Sequence, residues 1–449
     1  MIPVAPVPRY KSSKPADSVV AQAARRRVRV YLAGQHAHQR RFLAELVKQP
    51  SDNPPGDCDP YAKRTAALLE HLGFRVERHR VPANVVRSHG MRSCTNLIVR
   101  ERFGPGGPTI ALNAHGDVVP PGEGWTYDPY GAKVAAGTMY GRGVATSKSD
   151  FATYAYALLA LKNAGAALSG AVELHFTQDE EAGGLIGPRW LLERGLTRPD
   201  FAICAGFSYG ITTSHNGCLH LEVEVQGKAG HAAQPEKGKD ALEAANVILS
   251  KLYAYRRSLS AKRSSVKGIG SPTLVVGLIS GGTNTNVVPG QVTFRLDRRI
   301  VPDENPDDAE RTLRSLIAES ARKLPGIRVL VRRILLAKPF VGRRRQGHLV
   351  QAIAQNVRKI FGVKARVHGS PLYTDARHYS EAGIPTVLYG AGPRTLEAAR
   401  GHRADERLKL DDLWKATHVV ALSLLDLMTE RGSNRNAALI GAISRSRRA

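Results

Sequence analysis

Short apolar runs of strand length alternate with helix-length segments along most of this 449-residue chain, and that alternation constrains the fold more than any other feature. Residues 109–114 (TIALNA), 171–176 (AVELHF) and 201–205 (FAICA) are short and apolar enough to be buried strands. Helical segments separate them. Asp59-Pro60 opens one with an N-cap residue and a proline in the first turn, Gly73 closes it, and residues 150–164 form another. Strand and helix in this repetition mean an α/β fold with a mostly parallel sheet. The rhythm changes near Gly217. Residues 219–225 alternate cleanly, a helix follows over 240–257, strands at 273–279 and 292–299, and a helix over 306–323. This β-α-β-β-α-β order is a common small-domain plan. The first pattern resumes with a helix near 348–361, a strand at 385–389 and a helix over 411–429, so one unit is inserted into another.

Composition narrows the function classes. Lys+Arg 65 against Asp+Glu 39 gives a net charge of +26, which permits contact with nucleic acid or an anionic surface. Part of that excess is terminal, at Arg25, Arg26, Arg27 and Arg29 and again at Arg445, Arg447 and Arg448. No recognition motif or interleaved aromatic pattern accompanies it, so a nucleic-acid partner is not expected. No apolar run approaches the roughly 20 residues of a membrane span. Cys58, Cys94, Cys204 and Cys218 form no CxxC pair, which points away from a thiolate zinc site or a disulfide framework and toward a reducing compartment. The opening MIPVAPVPRYKSSKPADS lacks the apolar core of a secretory signal and reads as a disordered extension on a cytoplasmic protein.

Four polar clusters follow apolar strands, where ligands bind in parallel sheets. They are His115-Gly-Asp117, Asp179-Glu180-Glu181, Asp375-Ala-Arg377-His378, and His402 with Asp405 and Glu406. A histidine two residues before a carboxylate suits a metal ligand with an orienting partner, though Gly116 and Pro120 equally suit a plain turn. Three adjacent acids in a buried place call for a cation or a raised pKa, and on a surface they would only cap the next helix.

Taken in order, HGDVVPPGEGWTYDPY, GRG, TQDEEAGG, GKAGHAAQPEKGKDA, GGTNTNVVPGQ with LDRR, YTDARHYSEAGIPTVLYG and GHRADE resemble the M20 family of metal-dependent peptidases and deacylases. The resemblance spans about 30–430. It implies an α/β metallohydrolase domain in two parts, 29–216 and 335–430, with an inserted ferredoxin-like α+β lid and dimerisation domain at 217–334. Basic tails flank them at 1–28 and 431–449. His115, Glu181 and His402 then correspond to metal ligands, Asp117 to the carboxylate that orients His115, and Glu180 to the general base. His231 corresponds to a lid residue that reaches a neighbouring active site, and Asn286, Arg298 and Arg377 to substrate-binding positions. A divalent ion is implied, zinc or alternatively manganese or cobalt, one or two per chain, in a homodimer or higher homo-oligomer.

Two positions depart from the pattern. Thr146 stands where the family has a metal-bridging aspartate, and Gly206 where it has an acidic ligand. A hydroxyl and a glycine cannot hold a hard dication as two carboxylates do. Asp150, one helical turn beyond Thr146, is a candidate replacement that would serve equally well as a helix N-cap; Asp179, Cys204 and His215 are further candidates. The expectation is a metal-dependent hydrolase that cleaves an amide or related C–N bond in a small carboxylate-bearing substrate. Its rivals are a mononuclear enzyme of altered chemistry, such as aromatic-amine deamination, and a non-catalytic M20-like binding protein.

Overall fold

The computed structural model describes residues 19–343 and 346–429. Its main sheet has eight strands in the order Val76–Arg80, Thr95–Gly104, Gly170–Thr177, Thr109–His115, Phe201–Cys204, Thr386–Leu388, Gly210–His215 and Arg366–Ser370. The centre is parallel: Thr109–His115 pairs in parallel with both Gly170–Thr177 and Phe201–Cys204, and the latter with Thr386–Leu388. The strands on the Val76 side are antiparallel. Because the central strands run the same way, His115, Thr177, Cys204 and Leu388 all end on one edge, and the loops beyond them share a single space.

One helix anchors that edge from below. Lys148–Lys162 is buried along its whole length except Lys162 and packs against His36–Val47, Val19–Ala33 and Leu410–Met428. Its sequence, KSDFATYAYALLALK, has no polar stripe, as a helix enclosed on every side requires. The N-terminal region differs from the expected tail. Residues 19–28 belong to the helix Val19–Ala33, in which Arg25 pairs with Asp426 and Arg27 bonds the Ala164 carbonyl at 2.6 Å. Arg25 and Arg27 thus tie the helix to the rest of the chain, while Arg26 and Arg29 remain exposed. Residues 1–18, and the C-terminal basic segment with Arg445, Arg447 and Arg448, lie outside the described residues.

The inserted segment forms its own antiparallel sheet, ordered Thr273–Gly281, Gln291–Ile300, Gly217–Gln226 and Arg328–Ala337. Ala241–Leu259 and Pro306–Ala321 cover one face, their N-termini capped by the side chains of Asp240 and Asn305. Leu219, Leu221, Val223, Phe294 and Leu296 point into this layer and meet Ile248, Leu252, Leu313 and Ile317. At the junction Gly217 admits no side chain, since a Cβ there would lie 2.4 Å from the Ala337 carbonyl oxygen. Among the described residues no helix is long and apolar enough to cross a membrane.

Phe294 is fully buried between the sheet and its helices. Phe294→Ala should therefore cost about 3–5 kcal/mol in denaturant unfolding. Val30→Ala, at a position 65% exposed on the first helix, should stay within about 0.5 kcal/mol.

Candidate metal centre

His115 closes its strand and is held from several sides. Its backbone N–H donates to Ser147 Oγ at 3.0 Å, and that hydroxyl donates back to the His115 carbonyl at 2.9 Å. Its Nδ1 lies 3.0 Å from the Asp117 carbonyl oxygen, an acceptor only, so Nδ1 carries a proton and Nε2 is the nitrogen turned toward the acids, able to ligate an ion that displaces its proton. The Asp117 carboxylate, 3.4 Å from the same Nδ1, is fully buried. It accepts hydrogen bonds from Asn53 Nδ2 at 3.0 Å and from the backbone N–H groups of Glu180 and Glu181 at 3.1 and 3.0 Å. One anion thus fixes the histidine and aims the two following acids.

Glu180 and Glu181 begin the short helix Glu180–Ala182 beyond Gly170–Thr177. Glu180 Oε2 is 3.9 Å from His115 Nε2, and Glu181 Oε1 is 3.4 Å from His402 Nε2. One donor atom each from His115, Glu180 and Glu181 falls within 4.8 Å of the others. Burial pushes the Glu180 carboxyl well up, with His115 opposing and the neighbouring acids adding to the rise. Burial also pulls His115 down, but Glu180, Asp117 and Glu181 outweigh it and hold the imidazole well above the usual histidine range. Asp375 is pushed up to about 6 by burial. So many buried acids around one imidazole make a place where a cation is favoured.

None of the candidate replacement ligands turns toward this space. Asp150 Oδ1 accepts from the Ala391 N–H at 2.6 Å, and its carboxyl also takes the Gly206 N–H. Asp179 is committed to the backbone of Ile186 and Gly187. Cys204 packs with Phe340, Tyr379 and Leu388. His215 uses both nitrogens, Nδ1 on the Asn216 carbonyl at 2.8 Å and Nε2 for the Thr374 N–H at 3.2 Å, and burial pulls it down to about 3. The loop that carries Thr146 is instead held by Glu406, which accepts from Arg142 Nη1, Gly143 N and Ala145 N at 2.8, 3.1 and 3.0 Å. Gly206 has no room for a side chain, because a Cβ would meet Tyr389 N at 2.8 Å and the Leu388 carbonyl carbon at 2.9 Å.

Of the residues expected to bind substrate, two are structural. Arg298 is fully buried, donates to Glu304 at 2.7 Å and bonds the Arg299 carbonyl. It faces the inner side of its own sheet, and the next residue, Arg299, is the one that turns toward Tyr373, 5.5 Å from that ring. Arg377 is buried and bonds the Gly183 carbonyl, bracing the Glu180 loop. His231 and Asn286 come together on the exposed ribbon formed by Gly230–His231 and Val287–Val288, where Ala232 N donates to Asn286 O at 3.0 Å. They do not contact the acids of the same chain. Sequence reasoning passed over Arg299, and also Lys148, whose Nζ donates to the Gln49 carbonyl at 2.9 Å and is pulled down to about 7 by burial.

A parallel-sheet edge carrying histidine and paired glutamates, beside an inserted α+β unit, defines a metallohydrolase of the two-part type. Residues 111–426 match the model of peptidase family M20/M25/M40, and the chain belongs to that family. It is 29% identical over 389 residues to an acetylornithine deacetylase of Myxococcus xanthus, covering 85% of this chain and 95% of the relative. It is 27% identical over 330 residues to a succinyl-diaminopimelate desuccinylase of Nitratiruptor, covering 72% and 85%. Among solved structures it resembles an M20 family metallo-carboxypeptidase of Sulfolobus solfataricus, with a TM-score of 0.71, 18% identity, and coverage of 86% and 98%. The protein is an M20-type hydrolase.

Burial pushes the Asp150 carboxyl up to about 7. An acid whose folded pKa lies above its unfolded value costs stability as pH rises through that interval, from about 4 to about 7. Asp150→Asn keeps an acceptor for Ala391 and removes the charge. Its stability relative to the parent should therefore improve between about pH 4 and about pH 8, with metal content unchanged. Loss of metal from this variant would make Asp150 a ligand after all.

Proposed function

We propose that the protein hydrolyses an amide bond in a small carboxylate-bearing substrate, using one divalent ion held by Glu181 and His402 and completed by His115. The observation that carries this reading is the convergence of His115 Nε2 with the Glu180 and Glu181 carboxylates at the sheet edge, with His402 Nε2 3.4 Å from Glu181. These donors fit one ion of the zinc type, with manganese or cobalt as alternatives; with Thr146 and Gly206 in the other positions they do not supply a second full set. When bound, such an ion polarises a carbonyl and acidifies water. Glu180 then takes the proton from the attacking water and returns it to the departing nitrogen, so that its carboxylate begins and ends the cycle ionised. Asp117 keeps Nε2 of His115 available by holding the other nitrogen's proton in place. The deacylase names of the matched relatives support an acylated amino-acid-like substrate.

The 217–334 unit would act as lid and dimerisation domain, presenting His231 and Asn286 to a neighbouring active site, where His231 would stabilise the developing oxyanion. Their exposure and their separation from the acids of their own chain support this.

Glu180→Gln should lose about a hundredfold to ten-thousandfold in turnover while retaining its ion, whereas Glu181→Ala should lose the ion itself. Element analysis after dialysis should find one tightly held ion at this centre per chain, read as the difference in metal content between the parent and Glu181→Ala. Equal metal loss in both variants would reverse their roles, and a metal-loaded protein inactive on every N-acyl amino acid and dipeptide tested would favour the binding-protein reading. Mixing His231→Ala with Glu180→Ala subunits should restore part of the activity, because a hybrid dimer holds one site with both groups. A fully active monomer in sedimentation would overturn the shared site.

A further inference from the structure

A second convergence of donor atoms lies on the inserted sheet, in residues that the hydrolytic reading does not use. Cys218 and His220 are two apart on Gly217–Gln226 and so share a face, the one turned away from the covering helices. Strand register sets Asp297 directly opposite His220 and Arg299 opposite Cys218. Cys218 Sγ lies 3.0 Å from His220 Nε2, that nitrogen lies 2.9 Å from Asp297 Oδ2, and sulfur and oxygen are 3.6 Å apart.

The shared nitrogen decides between two chemistries. In a thiol–imidazole–acid relay the cysteine and the acid occupy opposite ring nitrogens. Here both press on Nε2, which has one proton or one lone pair and cannot serve the two together. A cation at the common point serves all three. Asp297 Oδ1, the oxygen facing away, accepts from Arg299 Nε at 3.0 Å, the kind of outer partner that aims a ligating carboxylate. Burial pushes the free Cys218 thiol up to about 12, which leaves it a poor nucleophile in the absence of a metal.

We propose that Cys218, His220 and Asp297 form a second metal site, on the insertion and built from residues other than those of the hydrolytic centre, for a thiophilic divalent ion of the zinc type. One sulfur, one nitrogen and one oxygen donor match zinc and exclude calcium and magnesium, which take oxygen shells. Binding moves the thiol proton to solvent and leaves a thiolate on the ion. Three protein ligands leave a fourth position for water or another small donor. The assignment stands whether or not the hydrolytic reading does.

Cobalt(II) titration of the metal-free full-length protein separates the two sites, because the hydrolytic centre contains no sulfur. The expected result is a thiolate-to-cobalt charge-transfer absorption in the near ultraviolet that saturates at one such site per chain and persists in Glu181→Ala. Cys218→Ser should abolish it, and His220→Ala should weaken cobalt binding at this site by more than about a hundredfold, beyond what loss of an outer partner alone costs. If Cys218→Ser does not fold, His220→Ala and Asp297→Asn, both at partly exposed positions, carry the test through the same absorption. Absence of the band in the folded parent, its survival in Cys218→Ser, or unchanged cobalt affinity in both other variants overturns the proposal.

Discussion

The Asp117 carboxylate is the constraint on which the candidate centre depends. It sits fully out of water between two strand-end loops and the loop that carries Asn53, and a carboxylate so placed costs several kcal/mol unless donors replace its hydration. The Asn53 amide and the backbone N–H groups of Glu180 and Glu181 supply them, each charge-assisted bond worth roughly 1.5–3 kcal/mol. Those bonds set where the chain turns after Gly170–Thr177 and hence where two acids point. Gly116 follows from the same crowding, since a Cβ there would lie 2.1 Å from the Tyr61 ring. The positions of His115, Glu180 and Glu181 are thus one packing solution rather than three.

Much of this was legible from the sequence, for identifiable reasons. The strands ending at His115, Thr177 and Cys204 are short, largely apolar and buried, so the polar residues just beyond them gather at one edge. The inserted β-α-β-β-α-β order was readable because its strands alternate and its helices carry Asp240 and Asn305 at their starts. What failed turned on single-residue geometry. Arg298 and Arg299 are adjacent on a strand and face opposite sides, so a motif match one residue off selects the buried member. Arg377 reads as an open cation in a polar cluster, yet tertiary packing gives it to the Gly183 carbonyl. The helix at residues 19–28 was hidden by its arginines, whose partners Asp426 and Ala164 lie far along the chain. The Cys218, His220 and Asp297 grouping has no linear signature at all, because strand register brings together residues 77 and 79 positions apart.

The two missing acids are not equivalent in their surroundings. Thr146 keeps a polar side chain in a loop that other groups already hold. At Gly206 the neighbouring strand has closed in, and the Gly206 N–H has been taken up by Asp150. A carboxylate returned to that position would meet the backbone of Leu388 and Tyr389 before it met an ion. The absent ligand is therefore built into the packing between Phe201–Cys204 and Thr386–Leu388, not confined to one side chain.

The buried pair of Glu406 and Arg142 bears on the order in which such a protein is assembled. In a centre whose ligands also hold its loops together, the chain cannot finish folding until the ion arrives. Here the N–H groups of Gly143 and Ala145 are already satisfied by Glu406, and the Arg142 guanidinium rests 5.2 Å from the Trp125 ring centroid. The loop beside the candidate centre thus has a protein-made clasp that needs no ion to hold it. Its shape is set by the protein's own hydrogen bonds, and an ion that bound beside it would meet a surface made in advance.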